Sequence, residues 1–93
     1  MKSMQPSTSI ATAQVAPDTT AGGTLLVAAR PQRYSVILAN RGAVGVYIGV
    51  TGLTSATGLL LNANDVVTLD TGAAVYGITA SGTGAIHVLE AYA

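Results

Sequence analysis

The sequence predicts an all-β protein: a small antiparallel β-sandwich or barrel of six to seven short strands with an extended N-terminal arm. Two observations predict this fold. Short apolar runs recur at about ten-residue spacing from Thr24 onward, and several of them alternate with the period of two that is typical of strands. Connections rich in Gly, Thr, Ser and Asn separate these runs, and none of the runs has a helical period.

Residues 1–23 are predicted to be an extended arm that precedes a β-domain over residues 24–93. The arm is polar and low in complexity, and Pro6 and Pro17 argue against a helix across it. Its middle, Ile10–Val15, allows two interpretations, because its alternation is ambiguous. Either this segment lies on a neighbouring subunit or another protein, or it forms an edge strand of its own domain.

The first three strands of the domain are predicted from their alternation and their ends. Thr24–Ala29 is apolar and stops at Arg30-Pro31. Tyr34–Asn40 places Tyr34, Val36 and Leu38 on one face, and a tight turn follows it. Val44–Val50 alternates between apolar residues on one face and Gly or Tyr on the other. The four remaining predicted strands, each bounded by turn residues, are Leu59–Leu61, Val66–Leu69, Ala74–Ala80 and Ala85–Tyr92.

The composition indicates a protein that associates with further copies of itself. The chain has 93 residues, net charge zero and 9% charged residues, whereas an ordinary domain has about 25%. It has no Cys, Trp or Phe, so it lacks disulfides, thiolate metal sites and large aromatic anchors. A chain of this size without such supports depends on oligomerisation for stability. We therefore expect a homo-oligomer that holds no cofactor or metal.

Membrane insertion and targeting are not expected. Gly42–Asn64 carries no charge and is long enough to span a bilayer, but its Gly, Thr and Asn content makes a poor helix. The N-terminal residues lack the apolar core of a signal peptide.

Catalytic constellations are also not expected. His87 is the only histidine, and a triad would join it to a serine and to Asp65 or Asp70. None of the candidate serines has the Gly-x-Ser-x-Gly context of a nucleophile: Ser35, Ser55 and Ser81. Asp65 and Asp70 flank one short strand, about 17 Å apart, which exceeds the separation in a glycosidase pair. We expect His87 to be structural and both aspartates to stabilise turns.

The candidate partner-interface residues are an arginine group and two apolar residues of the arm. Arg30, Arg33 and Arg41 lie close together in sequence and suit bidentate contacts to carboxylates of a partner protein. The alternative is that they are solvated strand ends. They are too sparse for a nucleic-acid site. Ile10 and Val15 complete the candidates, because an uncharged arm can add a strand to a neighbouring sheet edge.

The region from Tyr34 to Glu90 resembles the small capsid decoration (cement) proteins of tailed bacteriophages. The segments that carry the resemblance are Ser35–Asn40, Val46–Gly49, Leu53–Leu61, Val67–Thr71, Ala74–Ile78, Ala80–Thr83 and His87–Glu90. The resemblance implies a compact β-domain, made in the host cytoplasm, that binds the major capsid protein on the outer surface of the virion. It implies a symmetric trimer and no catalytic residues. The alternative is a tail- or fibre-associated β-module that binds a host glycan or another virion protein.

Overall fold

The structure, a computed structural model, describes residues 9–93, and these form eight strands without a helix. The strands are β1 (Ser9–Val15), β2 (Thr24–Val27), β3 (Arg33–Asn40), β4 (Val46–Gly49), β5 (Leu59–Leu61), β6 (Val66–Leu69), β7 (Val75–Ile78) and β8 (Ile86–Tyr92). The predicted all-β class is confirmed. The described range therefore also contains no helix that could cross a membrane.

Two four-stranded antiparallel sheets pack face to face. Their strand orders are β1-β8-β3-β6 and β2-β7-β4-β5. The ladders β1–β8, β2–β7, β3–β6 and β4–β5 are nested, as in one long hairpin rolled up on itself, and the β3–β8 and β4–β7 ladders complete the sheets. Eight strands in this nested order make a jelly roll.

Seven of the strands correspond to the seven segments predicted from Thr24 onward: β5 and β6 have the predicted bounds, β3 begins one residue earlier, and the other four are shorter than predicted. The eighth, β1, corrects the prediction of six to seven strands. It pairs with β8 over seven consecutive residue pairs, from Ser9↔Tyr92 to Val15↔Ile86. Of the two interpretations of Ile10–Val15, the structure therefore shows the edge strand. Residues 1–8 of the predicted arm lie outside the described residues.

The core lies between the sheets and follows the predicted alternation. Val36 and Leu38 of β3 are fully buried, as are Val46 of β4 and Ile86 of β8. Val15 packs against this cluster from the end of β1. Because strand side chains alternate between faces, the residues between these point away from the core.

The segment after β1 is held against the β7–β8 connection. The Gly84 amide donates to the Pro17 carbonyl at 2.8 Å, and the Thr79 amide donates to the Asp18 carbonyl at 3.0 Å. Pro17 is itself fully buried. The end of β1 is therefore fixed to the sandwich.

Candidate functional site

The outer surface of the β1-β8-β3-β6 sheet is the broadest candidate site, and we call it the uncharged face. Leu89 lies at its centre, paired with Thr12 on one side and Ile37 on the other. The face comprises Ile10, Thr12, Gln14, Ser35, Ile37, Ala39, Val66, Thr68, His87, Leu89 and Ala91. None of these residues is Asp, Glu, Lys or Arg.

The uncharged face is an open surface. An open depression of about 450 Å³ lies over the β1–β8–β3 part of it, lined by Thr12, Gln14, Ile37, His87 and Leu89 among others. Ile10 at one end and Val66 on the opposite edge strand are 68% and 60% exposed. Small and medium side chains thus leave a surface onto which another surface can pack closely.

His87 belongs to this face and is exposed, between Gln14 of β1 and Ala39 of β3. Residues 9–93 contain no group of His, Asp or Glu side chains arranged to hold a metal ion. The Asp65 carboxylate accepts a hydrogen bond from the backbone N–H of Asn62 at 2.8 Å, which confirms its predicted role in a turn.

Arg33, a predicted interface residue, is instead a buried structural residue. Its side chain has no exposed area, and its Nη1 lies 3.1 Å from Oε1 of Glu90. Its guanidinium also donates to three carbonyl oxygens, of Ala28 at 2.9 Å, of Thr71 at 2.8 Å and of Ala73. Arg33 therefore joins the β2–β3 and β6–β7 connections.

Arg30 is partly exposed beside this pair. Its Nε lies 3.2 Å from Oε1 of Glu90, its side chain is 36% exposed, and its guanidinium stacks 3.7 Å above the ring centre of Tyr92. Arg30 thus retains some accessible surface, but its charge is already paired.

Arg41 lies far from the other two arginines. It is exposed and follows the end of β3, whereas Arg33 begins that strand, so about 26 Å of strand separates them. Its amide donates to the Ala85 carbonyl at 2.9 Å. The structure therefore does not bring the three arginines into one patch.

The two predicted residues of β1 have different environments. Ile10 projects from the uncharged face, whereas Val15 is half-buried against the core. Ile10 is accessible to a partner, and Val15 anchors β1 to its own domain.

The outer face of the second sheet, which we call the tyrosine-bearing face, carries two of the four tyrosines of the chain, Tyr47 and Tyr76. Tyr76 of β7 pairs with Leu25 of β2, and Tyr47 of β4 pairs with Leu60 of β5. Leu25 and Leu60 are 44% and 39% exposed. This surface is apolar and aromatic.

Glu90 and Asn40 are buried polar residues that were not predicted from the sequence. Glu90 shares the inward face of β8 with Ile86 and Val88, and a lone carboxylate on such a face is the signal of a buried partner. Asn40 is fully buried at the end of β3. It is the last residue of the predicted strand Tyr34–Asn40, and the alternation of Val36 and Leu38 places its side chain on the same inward face.

No family model matches the chain, and neither a curated protein nor a solved structure matches it.

Proposed function

We propose that this protein is a non-enzymatic structural protein of a tailed-bacteriophage virion, which binds the outside of the capsid as a symmetric trimer and stabilises the shell. The observation that carries this proposal is the uncharged face. A broad sheet surface without charges is suited to being covered by another protein surface, through apolar contact and hydrogen bonds from Thr, Gln and Ser side chains.

The size of the face favours binding at many repeated points. Four strands span about 19 Å and the seven residues of β8 about 23 Å, which gives a contact of roughly 400 Å² per copy. A stable single interface needs about 800 Å² per partner. A contact of half that area can still give stable binding when several copies are linked in one oligomer, because binding of the second copy is then intramolecular. A trimer on a repetitive shell meets that condition.

The fold agrees with this proposal by analogy only. Jelly rolls occur in viral capsid proteins and in lectins, and one fold supports many functions. The resemblance of the strand sequences to decoration proteins adds separate support for the capsid.

The test is sedimentation of the purified protein with heads of the phage that encodes it. Leu89→Lys places a charge at the centre of the uncharged face, where the long side chain can reach solvent without unfolding the sheet. We expect it to lower occupancy at least about tenfold. Leu60→Lys, the same change on the outer face of the other sheet, is the matched control and should bind normally. Equal binding by both variants and the parent would contradict the use of this face.

The tyrosine-bearing face favours the second candidate, a tail- or fibre-associated module that binds a host glycan. Tyr47 and Tyr76 lie on adjacent strands, and tyrosine presents both an aromatic ring and a hydroxyl to a ligand. Binding on a glycan array that is lost in Tyr47→Ala and Tyr76→Ala, with no binding to heads, would favour this candidate over the first.

A further inference from the structure

We propose that β1 is a self-association edge, which pairs in antiparallel fashion with β1 of a second copy of this chain. The inference concerns the free side of β1 and does not depend on the proposed function. Among residues 9–93, β1 pairs on one side only, with β8. Every second residue of Ile10–Val15 therefore directs its amide and carbonyl away from β8, toward the sheet edge.

This edge lacks the features that normally prevent strands from pairing. Sheet edges are protected by shortness, by charges, by Pro or by bulges. Residues 10–15 contain no charge and no Pro, and the β1–β8 register runs through seven pairs without a shift. By contrast, the register of β2 with β7 is broken between Leu25 and Val27.

The length of β1 identifies its partner. The other three edge strands of the described sandwich, β2, β5 and β6, have four, three and four residues, whereas β1 has seven. Among these edges, only a second β1 matches the whole edge of β1. A two-fold axis at Thr12 aligns the strands over their full length, with Thr12 opposite Thr12 of the second copy and Ile10 opposite Gln14.

The side chains suit such a pairing. Thr12 lies on the uncharged face, and Thr–Thr pairs stabilise neighbouring strands. Ala11 and Ala13, on the other face of β1, are small enough to leave the approach open. The absence of charge matters because a two-fold axis places identical residues opposite each other, so any charge near the axis would repel its own copy.

The pairing would join two β1-β8-β3-β6 sheets into one sheet of eight strands. Its two-fold symmetry differs from the three-fold symmetry proposed for the trimer. Where both contacts form, the β1 edge joins one trimer to another.

The test uses a single cysteine, because the natural chain has none. In Thr12→Cys, the two thiols face each other across the proposed axis. Directly opposite Cβ atoms of neighbouring strands lie about 4.5–5.5 Å apart, so a small approach of the two strands brings them to the roughly 4.5 Å that a disulfide can span. Mild oxidation should give a covalent dimer on a non-reducing denaturing gel. Thr68→Cys, on the exposed opposite edge of the same face, is the matched control and should remain monomeric.

A charge at the axis gives an independent measurement. Thr12→Lys should weaken self-association about tenfold or more in analytical ultracentrifugation, whereas Thr68→Lys should leave it unchanged. The inference is overturned if the parent chain is monomeric, if Thr12→Cys does not cross-link although its thiol reacts with a small reagent, or if both cysteine variants cross-link equally. Cross-linking of Thr12→Cys without binding to heads would support the β1 pairing and refute the proposed function. Binding to heads without cross-linking would refute the β1 pairing and support the proposed function.

Discussion

Arg33 and Glu90 form a buried ion pair that links the start of β3 to β8, its neighbour in the centre of the sheet. Nη1 of Arg33 lies 3.1 Å from Oε1 of Glu90, and the two side chains are 0% and 11% exposed. Three backbone carbonyls accept further hydrogen bonds from the Arg33 guanidinium. In a chain without disulfides, this pair fixes two loops and two strands to one another.

Glu90→Ala should strongly destabilise the fold, because it leaves the Arg33 charge buried without its counter-ion. Removing one member of a buried pair costs about 3–5 kcal/mol of unfolding free energy. Urea denaturation followed by circular dichroism measures this loss.

Arg30→Ala is the matched control, because Arg30 contacts the same carboxylate from a partly exposed position. Its loss should cost about 1 kcal/mol, in the range of exposed ion pairs and cation–π contacts. Equal effects of Arg30→Ala and Glu90→Ala would show that the buried pair has no special role. In the double variant Arg33→Met, Glu90→Leu, apolar packing should restore much of the stability lost in Glu90→Ala.

The strands could be predicted from the sequence because their signals are local. Val36 and Leu38 lie two residues apart on one face, and turn residues limit most of the runs, so burial on that face follows directly. β1 was ambiguous because small residues occupy both of its faces. Its place in the sheet depends on β8, which lies about 70 residues later in the chain.

The candidate interface residues could be predicted less well, because their environments depend on distant contacts. The three arginines are close in sequence, but Arg33 begins β3 and Arg41 follows its last residue, so the length of the strand separates them. The uncharged face combines residues of four strands whose order in the sheet cannot be read from local patterns.

Asn40→Asp should also destabilise the fold severely, because the side-chain amide of Asn40 is an internal hydrogen-bond donor. Its Nδ2 donates to the carbonyls of Val44 at 2.9 Å and Leu61 at 2.8 Å, and its Oδ1 accepts from the Gly42 amide at 3.1 Å. An aspartate keeps the acceptor but places a carboxylate oxygen against two carbonyl oxygens. We expect a loss of about 3 kcal/mol or more in thermal or urea unfolding.

Asn64→Asp provides the same chemical change at an exposed turn. Asn64 has a φ of 69°, a conformation that aspartate also tolerates. The expected change is within about 0.5 kcal/mol. A similar loss at both positions would mean that the charge itself, and not the buried donor, is responsible.

Gly84→Ala should destabilise the junction between the segment after β1 and the core. A Cβ at Gly84 would lie 2.6 Å from Cγ2 of Val46, and Val46 is fully buried and cannot move aside freely. Overpacking of this kind costs about 1–3 kcal/mol. In Gly49→Ala the nearest atom is 3.5 Å from the new Cβ, which is an ordinary contact, so stability should be unchanged or slightly higher. Equal unfolding midpoints for the two variants would contradict the close approach at Gly84.

The ionised side chain of Asp18 should stabilise the fold slightly, and acid should remove this contribution, because the carboxylate is hydrogen-bonded in the folded chain. Two hydrogen bonds from Thr20 lower the pKa of Asp18 below its ordinary value. The Thr20 hydroxyl has the larger effect, and the Thr20 backbone amide, 2.9 Å from Oδ1, has the smaller one. A carboxyl whose pKa is lower in the folded than in the unfolded state stabilises the fold when the pH is above the unfolded value, about 3.9. That contribution is lost as the pH falls through the lower pKa of the folded state.

Titration of the Asp18 carboxyl by NMR measures this shift, and Thr20→Val should reduce it without abolishing it, because the backbone amide still donates. Asp18→Asn is the control for stability. As the pH is lowered from 5 to about 3, the unfolding free energy of the parent should fall more than that of the variant. The sign follows from the folded state binding its proton less readily than the unfolded chain. A pKa for Asp18 at or above its ordinary value, or a parent that loses less stability in acid than Asp18→Asn, would show that the Thr20 hydrogen bonds do not stabilise this turn in solution.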